Sequence, residues 1–98
     1  MTEEIFSHKH IEEDGGIIEI RILKVPKTEK NPEGIAYSLV YIKNGARIIG
    51  YDNFEGHEKE NMRHHKHVRD RILPYDFIDE WKLVEDFTED VEKIKKGS

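Results

Sequence analysis

The stretch IAYSLVYIKNGARIIGYDN, residues 35–53, decides the fold. Asn44-Gly45 sits at its centre, and this pair readily takes the positive φ that a two-residue hairpin turn demands. Before the pair, Ile35 to Lys43 is rich in Ile, Tyr, Leu and Val, residues that suit a pleated surface. After it, Ala46 to Tyr51 makes the return strand. The spacing predicts a β-hairpin with Asp52 and Asn53 at its far end.

Working towards the N-terminus, Pro26 to Gly34 is a polar loop with two prolines. Ahead of it, Ile18, Ile20 and Ile22 alternate with Glu19 and Arg21, which is strand periodicity. Asp14-Gly15-Gly16 supplies a second tight turn, so a hairpin over roughly 5–13 and 17–25 is expected. Its first arm, TEEIFSHKHIEE, is also compatible with a short helix. Working towards the C-terminus, residues 53–62 are polar and loop-like, HHKHV at 64–68 reads as one more strand, and Pro74 ends what precedes it. The period then changes. Trp81, Val84, Phe87, Val91 and Ile94 fall on one helical stripe, Asp79 is placed to cap it, and Lys93, Lys95 and Lys96 suit the negative end of the helix dipole. A helix over about 80–95 follows, with Trp81 and Phe87 as core anchors. The expected fold is α+β: a mostly antiparallel sheet of about five strands with a C-terminal helix packed on one face, residues 1–98 forming a single domain.

The 98 residues contain no cysteine, which excludes a disulfide framework, a thiolate zinc site and a cysteine nucleophile. No apolar run approaches the roughly 18 residues a membrane span needs, and MTEEIFSHKH lacks the apolar stretch of a signal peptide, so a cytoplasmic protein is expected. The net charge of −5 is unevenly spread. Residues 1–14 and 76–98 each carry −4, whereas 15–75 carries +3 and four of the six histidines. Acidity therefore belongs to the two ends, and the middle is mildly basic.

Candidate chemistry lies between Tyr51 and Arg71: Tyr51-Asp52-Asn53, His57, Arg63-His64-His65-Lys66-His67, Arg69 and Arg71. On a strand over 64–68, His65 and His67 share one face while His64, Lys66 and Val68 share the other. Three readings compete. In the first, the imidazoles are an acid–base pair for RNA cleavage, with Lys66, Arg63 or Arg69 over the phosphate and Asp52 orienting a ring; no cofactor is required. In the second, His-x-His with Asp52 or His57 holds a metal, although no diagnostic metal motif is present. In the third, a polar strand is a solvated sheet edge and Lys66 discourages edge-to-edge pairing. His8 and His10 read as surface residues. Tyr37, Tyr41 and Tyr51 could stack on bases, but strand aromatics more often pack.

The order of these pieces resembles the TumE-like family of prokaryotic toxin–antitoxin proteins. The matching stretches are EEDGGIIEIRILKVP (12–26), IAYSLVYIKNGARIIGYDN (35–53), HHKHV (64–68) and PYDF…DEWKLVEDFTEDV (74–91). The resemblance implies the toxin of a type II toxin–antitoxin system, made beside an antitoxin that carries a DNA-binding domain. It also implies an RNA-directed activity, with RNA or the ribosome as a further partner; a homodimer is compatible with it. Matched motif to motif, Asp52, Asn53, His65, Lys66 and His67 are its functional candidates. The expected activity is a metal-independent endoribonuclease. His65 and His67 exchange protons, Lys66 and Asp52 support them, and Arg63, Asn53, Arg69 and Tyr51 contact substrate. The alternatives are a non-enzymatic module that docks a basic antitoxin segment through a sheet edge or through Asp86, Glu89 and Asp90, and a metal-binding hydrolase using the same histidines.

Overall fold

Asn44 (φ 55°) and Gly45 (φ 76°) both adopt the left-handed conformation that the hairpin needs. The turn joins β3 (Ile35–Lys43) to β4 (Ala46–Asp52). In the computed structural model, which describes residues 3–29, 31–53 and 64–97, this hairpin is the middle of a sheet ordered β1-β2-β3-β4-β5-β6. Every neighbouring pair is antiparallel. β1 (Glu3–Ile11) and β2 (Ile17–Lys24) form the first hairpin. The arm compatible with a short helix is thus a strand. Its end is set by a turn in which Glu12 N donates to Gly16 O (2.7 Å) and Gly15, at φ 88°, donates to Glu12 O (2.9 Å).

Among the described residues the sheet has six strands, where about five were expected. β5 (His65–Val68) is the His-rich strand, and β6 (Arg71–Pro74) is the addition. Four residues ending in proline give little strand signal, but Leu73 lies opposite Lys66 and Ile72 opposite His67, so β6 is held by the ladder. Pro74, which cannot donate to a ladder, closes this outer strand.

The helix α1 (Glu80–Gly97) begins at Asp79, whose Oδ1 accepts from Lys82 N at 2.7 Å. It packs on β3 and β4. Ile20, Ile22, Tyr37, Leu39, Tyr41, Ile49 and Tyr51 line the covered sheet face, and Leu83, Phe87 and Val91 descend from the helix. The buried stripe is therefore set by an i, i+4 row through Leu83, and Trp81 is not a core anchor. It is 60% exposed and lies edge-on to Phe6, with ring centroids 6.5 Å apart. Tyr37, Tyr41 and Tyr51 are buried packing residues, unavailable for base stacking. No helix among the described residues is long and apolar enough to cross a membrane.

Candidate functional site

Strand alternation sends neighbouring residues of β4 and β5 to opposite faces of the sheet. Asp52 pairs with His65, Tyr51 with Lys66 and Gly50 with His67. Tyr51 belongs to the core beneath the helix, so Lys66 lies on that side, and Asp52, His65 and His67 lie on the other.

The three residues on the face away from the helix converge. His65 Nε2 is 2.7 Å from Asp52 Oδ1, and His67 Nε2 is 3.6 Å from Asp52 Oδ2. The imidazole centroids are 5.1 Å apart and the rings stand nearly perpendicular, at 82°. His65 is 0% exposed and His67 4%, so one carboxylate and two titratable rings share an enclosed space. One nitrogen from each ring and one carboxylate oxygen all lie within 4.8 Å of one another, a set able to hold a metal ion. The same geometry lets the carboxylate orient both rings.

Lys66 does not join this group. Its ammonium is 3.2 Å from Asp90 Oδ2 on the helix and 5.6 Å from the Tyr51 ring centroid. The Tyr51 hydroxyl donates to the same Asp90 oxygen. Burial first, and then the Asp90 carboxylate, hold the Tyr51 proton on far above the ordinary phenol range. Tyr75 repeats the pattern by donating to Asp86 Oδ2 at 2.6 Å. Burial pushes the Asp86 carboxyl up, but the Tyr75 hydroxyl and Lys82 outweigh it and hold Asp86 below the usual carboxylate range. Asp86 and Asp90 therefore face the sheet, and of the acidic trio expected to receive an antitoxin segment only Glu89 is exposed.

Asn53 is likewise engaged within the fold. Its Oδ1 accepts from Tyr37 N at 3.0 Å and its Nδ2 donates to Ile35 O at 2.6 Å, so the side chain extends the ladder where β4 stops. His64 is stacked on Phe77, with centroids 4.8 Å apart, and its two ring nitrogens meet the Tyr37 hydroxyl at 3.0 Å and Glu33 Oε2 at 3.2 Å. These bonds fix the chain on either side of Asp52 and His65 to one residue, Tyr37. Arg69, at φ 56°, is an exposed turn residue between β5 and β6, and its N–H donates to Ile48 O at 2.8 Å. Arg63 and His57 lie outside the described residues. Of the expected site residues, the fold brings together Asp52, His65 and His67, and turns Tyr51 and Lys66 to the opposite face.

One cation escaped the sequence reading. A Cβ on Gly50 would meet Arg47 Cδ at 3.0 Å and Nε at 3.4 Å, so the Arg47 side chain lies across Gly50. Gly50 is the ladder partner of His67, which places the Arg47 guanidinium on the same face as the imidazoles. The signal available in sequence is the glycine inside the β4 strand, where another side chain approaches closely.

The family model described as Toxin TumE matches residues 2–95. No curated protein and no solved structure matches the chain. The family match spans nearly the whole sequence, including every strand and almost all of the helix that hold Asp52, His65 and His67 in place, and the chain belongs to the TumE toxin family.

Proposed function

We propose that this toxin acts in the cytoplasm on RNA, as the endoribonuclease of a type II toxin–antitoxin pair, with Asp52, His65 and His67 as its chemical centre. The observation that carries the reading is the presentation of both imidazole Nε2 atoms to one carboxylate. RNA cleavage needs a base for the 2′-hydroxyl and an acid for the leaving oxygen; two histidines of opposite protonation state supply both without a metal. Asp52 orients the rings and steadies the imidazolium. Arg47, on the same face, takes the phosphate-binding role first assigned to Lys66. The antitoxin partner follows from family membership, and a DNA-binding domain on that antitoxin is part of the proposal.

A second reading rests on the near-complete enclosure of the three donors within 4.8 Å, which suits a small divalent ion. On that reading the centre is a metal-dependent hydrolase in which Asp52, His65 and His67 would hold the ion, and the ion would supply Lewis-acid activation of water. The experiment is growth arrest and RNA cleavage by wild type, His65→Ala and His67→Ala, each with and without chelator. The first reading expects loss of both activities in each variant and no effect of chelator. Full toxicity in both variants sinks both readings; abolition of wild-type cleavage by chelator selects the second.

A further inference from the structure

The sheet has two outer strands of unequal kind. β6 is four residues long and ends at Pro74, whereas β1 runs for nine residues and, among the described residues, is paired only with β2. The helix packs mainly on β3 and β4 and meets β1 on the sheet face, where Trp81 lies against Phe6, which leaves the outer backbone edge of β1 unpaired among the described residues. A long outer strand offers a row of backbone donors and acceptors to another chain, and its side chains decide which chain fits.

The β1 side chains are complementary to themselves. A bulge between Glu4 and Phe6 sets the faces: Phe6, His8 and His10 lie opposite Ile22, Ile20 and Ile18 on the helix side, as does Glu3 opposite Lys24. Glu4, Ser7 and Lys9, opposite Leu23, Arg21 and Glu19, lie on the other side. Residues paired across an antiparallel ladder share a face, so a twofold axis perpendicular to the sheet can relate two copies of β1 only in registers that respect this division. In the register centred on Ser7, with the bulged Ile5 unpaired, Phe6 meets His8 of the second copy. Glu4 meets Lys9, and Glu3 meets His10. Each of these pairs occurs twice. Moving the centre to His8 sets histidine against histidine and Glu3 against Glu12, and moving it to Phe6 removes the Glu4–Lys9 pairs. The Ser7 register thus unites opposite charges and joins two ring rows already stacked within each chain, Phe6–His8 at 6.3 Å and His8–His10 at 6.4 Å.

We propose that the toxin forms a homodimer by antiparallel pairing of β1 with β1 about Ser7, giving one continuous sheet across two copies. This does not depend on the RNA reading, because Asp52, His65 and His67 lie on β4 and β5. The test is sedimentation of the full-length purified protein over a range of concentration. Wild type sediments as a dimer whose dissociation constant rises with salt, since Glu4 and Lys9 are exposed. Glu4→Lys replaces both Glu4–Lys9 attractions with repulsions and weakens the dimer by at least about tenfold. Glu4→Lys with Lys9→Glu reverses both charges and restores it. Circular dichroism shows whether each variant keeps its fold. A wild-type chain that remains monomeric at every concentration overturns the dimer, including the case in which the antitoxin takes the edge. A dimer indifferent to Glu4→Lys, or a folded double variant that stays monomeric, overturns the register.

Discussion

The two faces of β4 and β5 hold charged residues at adjacent positions and use them differently. Towards the helix, Asp90 receives the Tyr51 hydroxyl and the Lys66 ammonium, and Asp86 receives Tyr75 and Lys82. Each carboxylate there has an ammonium and a phenol, and burial together with the carboxylate holds the phenol proton on well above the ordinary range. Away from the helix, Asp52 faces two imidazoles, the side chains most often used for proton transfer. Part-buried charge thus serves as scaffolding on one face, while the other face concentrates groups that can move a proton.

The strongest way to break this comparison is to exchange the roles of neighbours on β5. Removing the His65 or His67 imidazole is expected to lower RNA cleavage by roughly 100- to 10,000-fold, the range that a positioned acid or base contributes. Lys66→Met, between them in sequence but on the other face, is expected to leave cleavage within a few-fold of wild type and to act on stability through its lost contact with Asp90. Parallel measurements of toxicity and thermal stability separate the two. A Lys66 variant as inactive as the histidine variants, with an unchanged melting temperature, places the ammonium in the chemistry after all.

Next in size is the scaffolding itself. Asp90→Ala strips Tyr51 and Lys66 of a shared acceptor beneath the helix, and leaving a buried hydroxyl without its partner costs about 1–3 kcal/mol. Chemical denaturation measures the loss, which should be visible without a matching fall in cleavage per folded molecule. A loss well below that range means that water reaches Tyr51 and that the helix-side network is less enclosed than its geometry implies.

Much of this division is legible in the sequence. The Asn44-Gly45 turn sets Lys43 opposite Ala46 and Ile42 opposite Arg47, a bulge at Ile48 that the turn does not foretell shifts the remaining β3–β4 pairs by one residue, and alternation along HHKHV separates Lys66 from His65 and His67. The remainder depends on contacts that no local pattern records. The helical period is right, but its phase is misjudged by giving weight to the largest apolar residue: Trp81 rests on Phe6 at the margin, and Leu83 enters the core. β6 is held by pairing with β5 rather than by composition. Asn53 is a candidate through the family resemblance alone, and the bonds of its side chain to Tyr37 and Ile35 are set by the fold. His64 meets Glu33 from the Pro26–Gly34 loop, a contact between distant parts of the chain that spacing does not encode. Arg47 depends on ladder register and on the missing side chain of Gly50.

The smallest effect sharpens the comparison through pH. Tyr75 and Lys82 hold the folded-state Asp86 carboxyl below its ordinary value of 3.8, despite burial acting in the other direction. A group depressed on folding contributes stability that is fully present above its unfolded pKa and is lost as pH falls through the folded one. Asp86 therefore contributes at neutral pH and progressively less below about pH 4, where the unfolded chain takes up the proton first. Asp86→Asn removes this one titration. Melting temperatures across pH 2 to 7 should show a slightly shallower acid limb than in wild type, an effect of about 1 kcal/mol or less because Lys82 is largely in water. The slope near neutrality should be unchanged, since the depressed Asp86 carboxyl does not titrate there. A variant that instead flattens the profile between pH 6 and 7 would show that the two faces titrate as one unit, and the separation of scaffold from chemistry would fail.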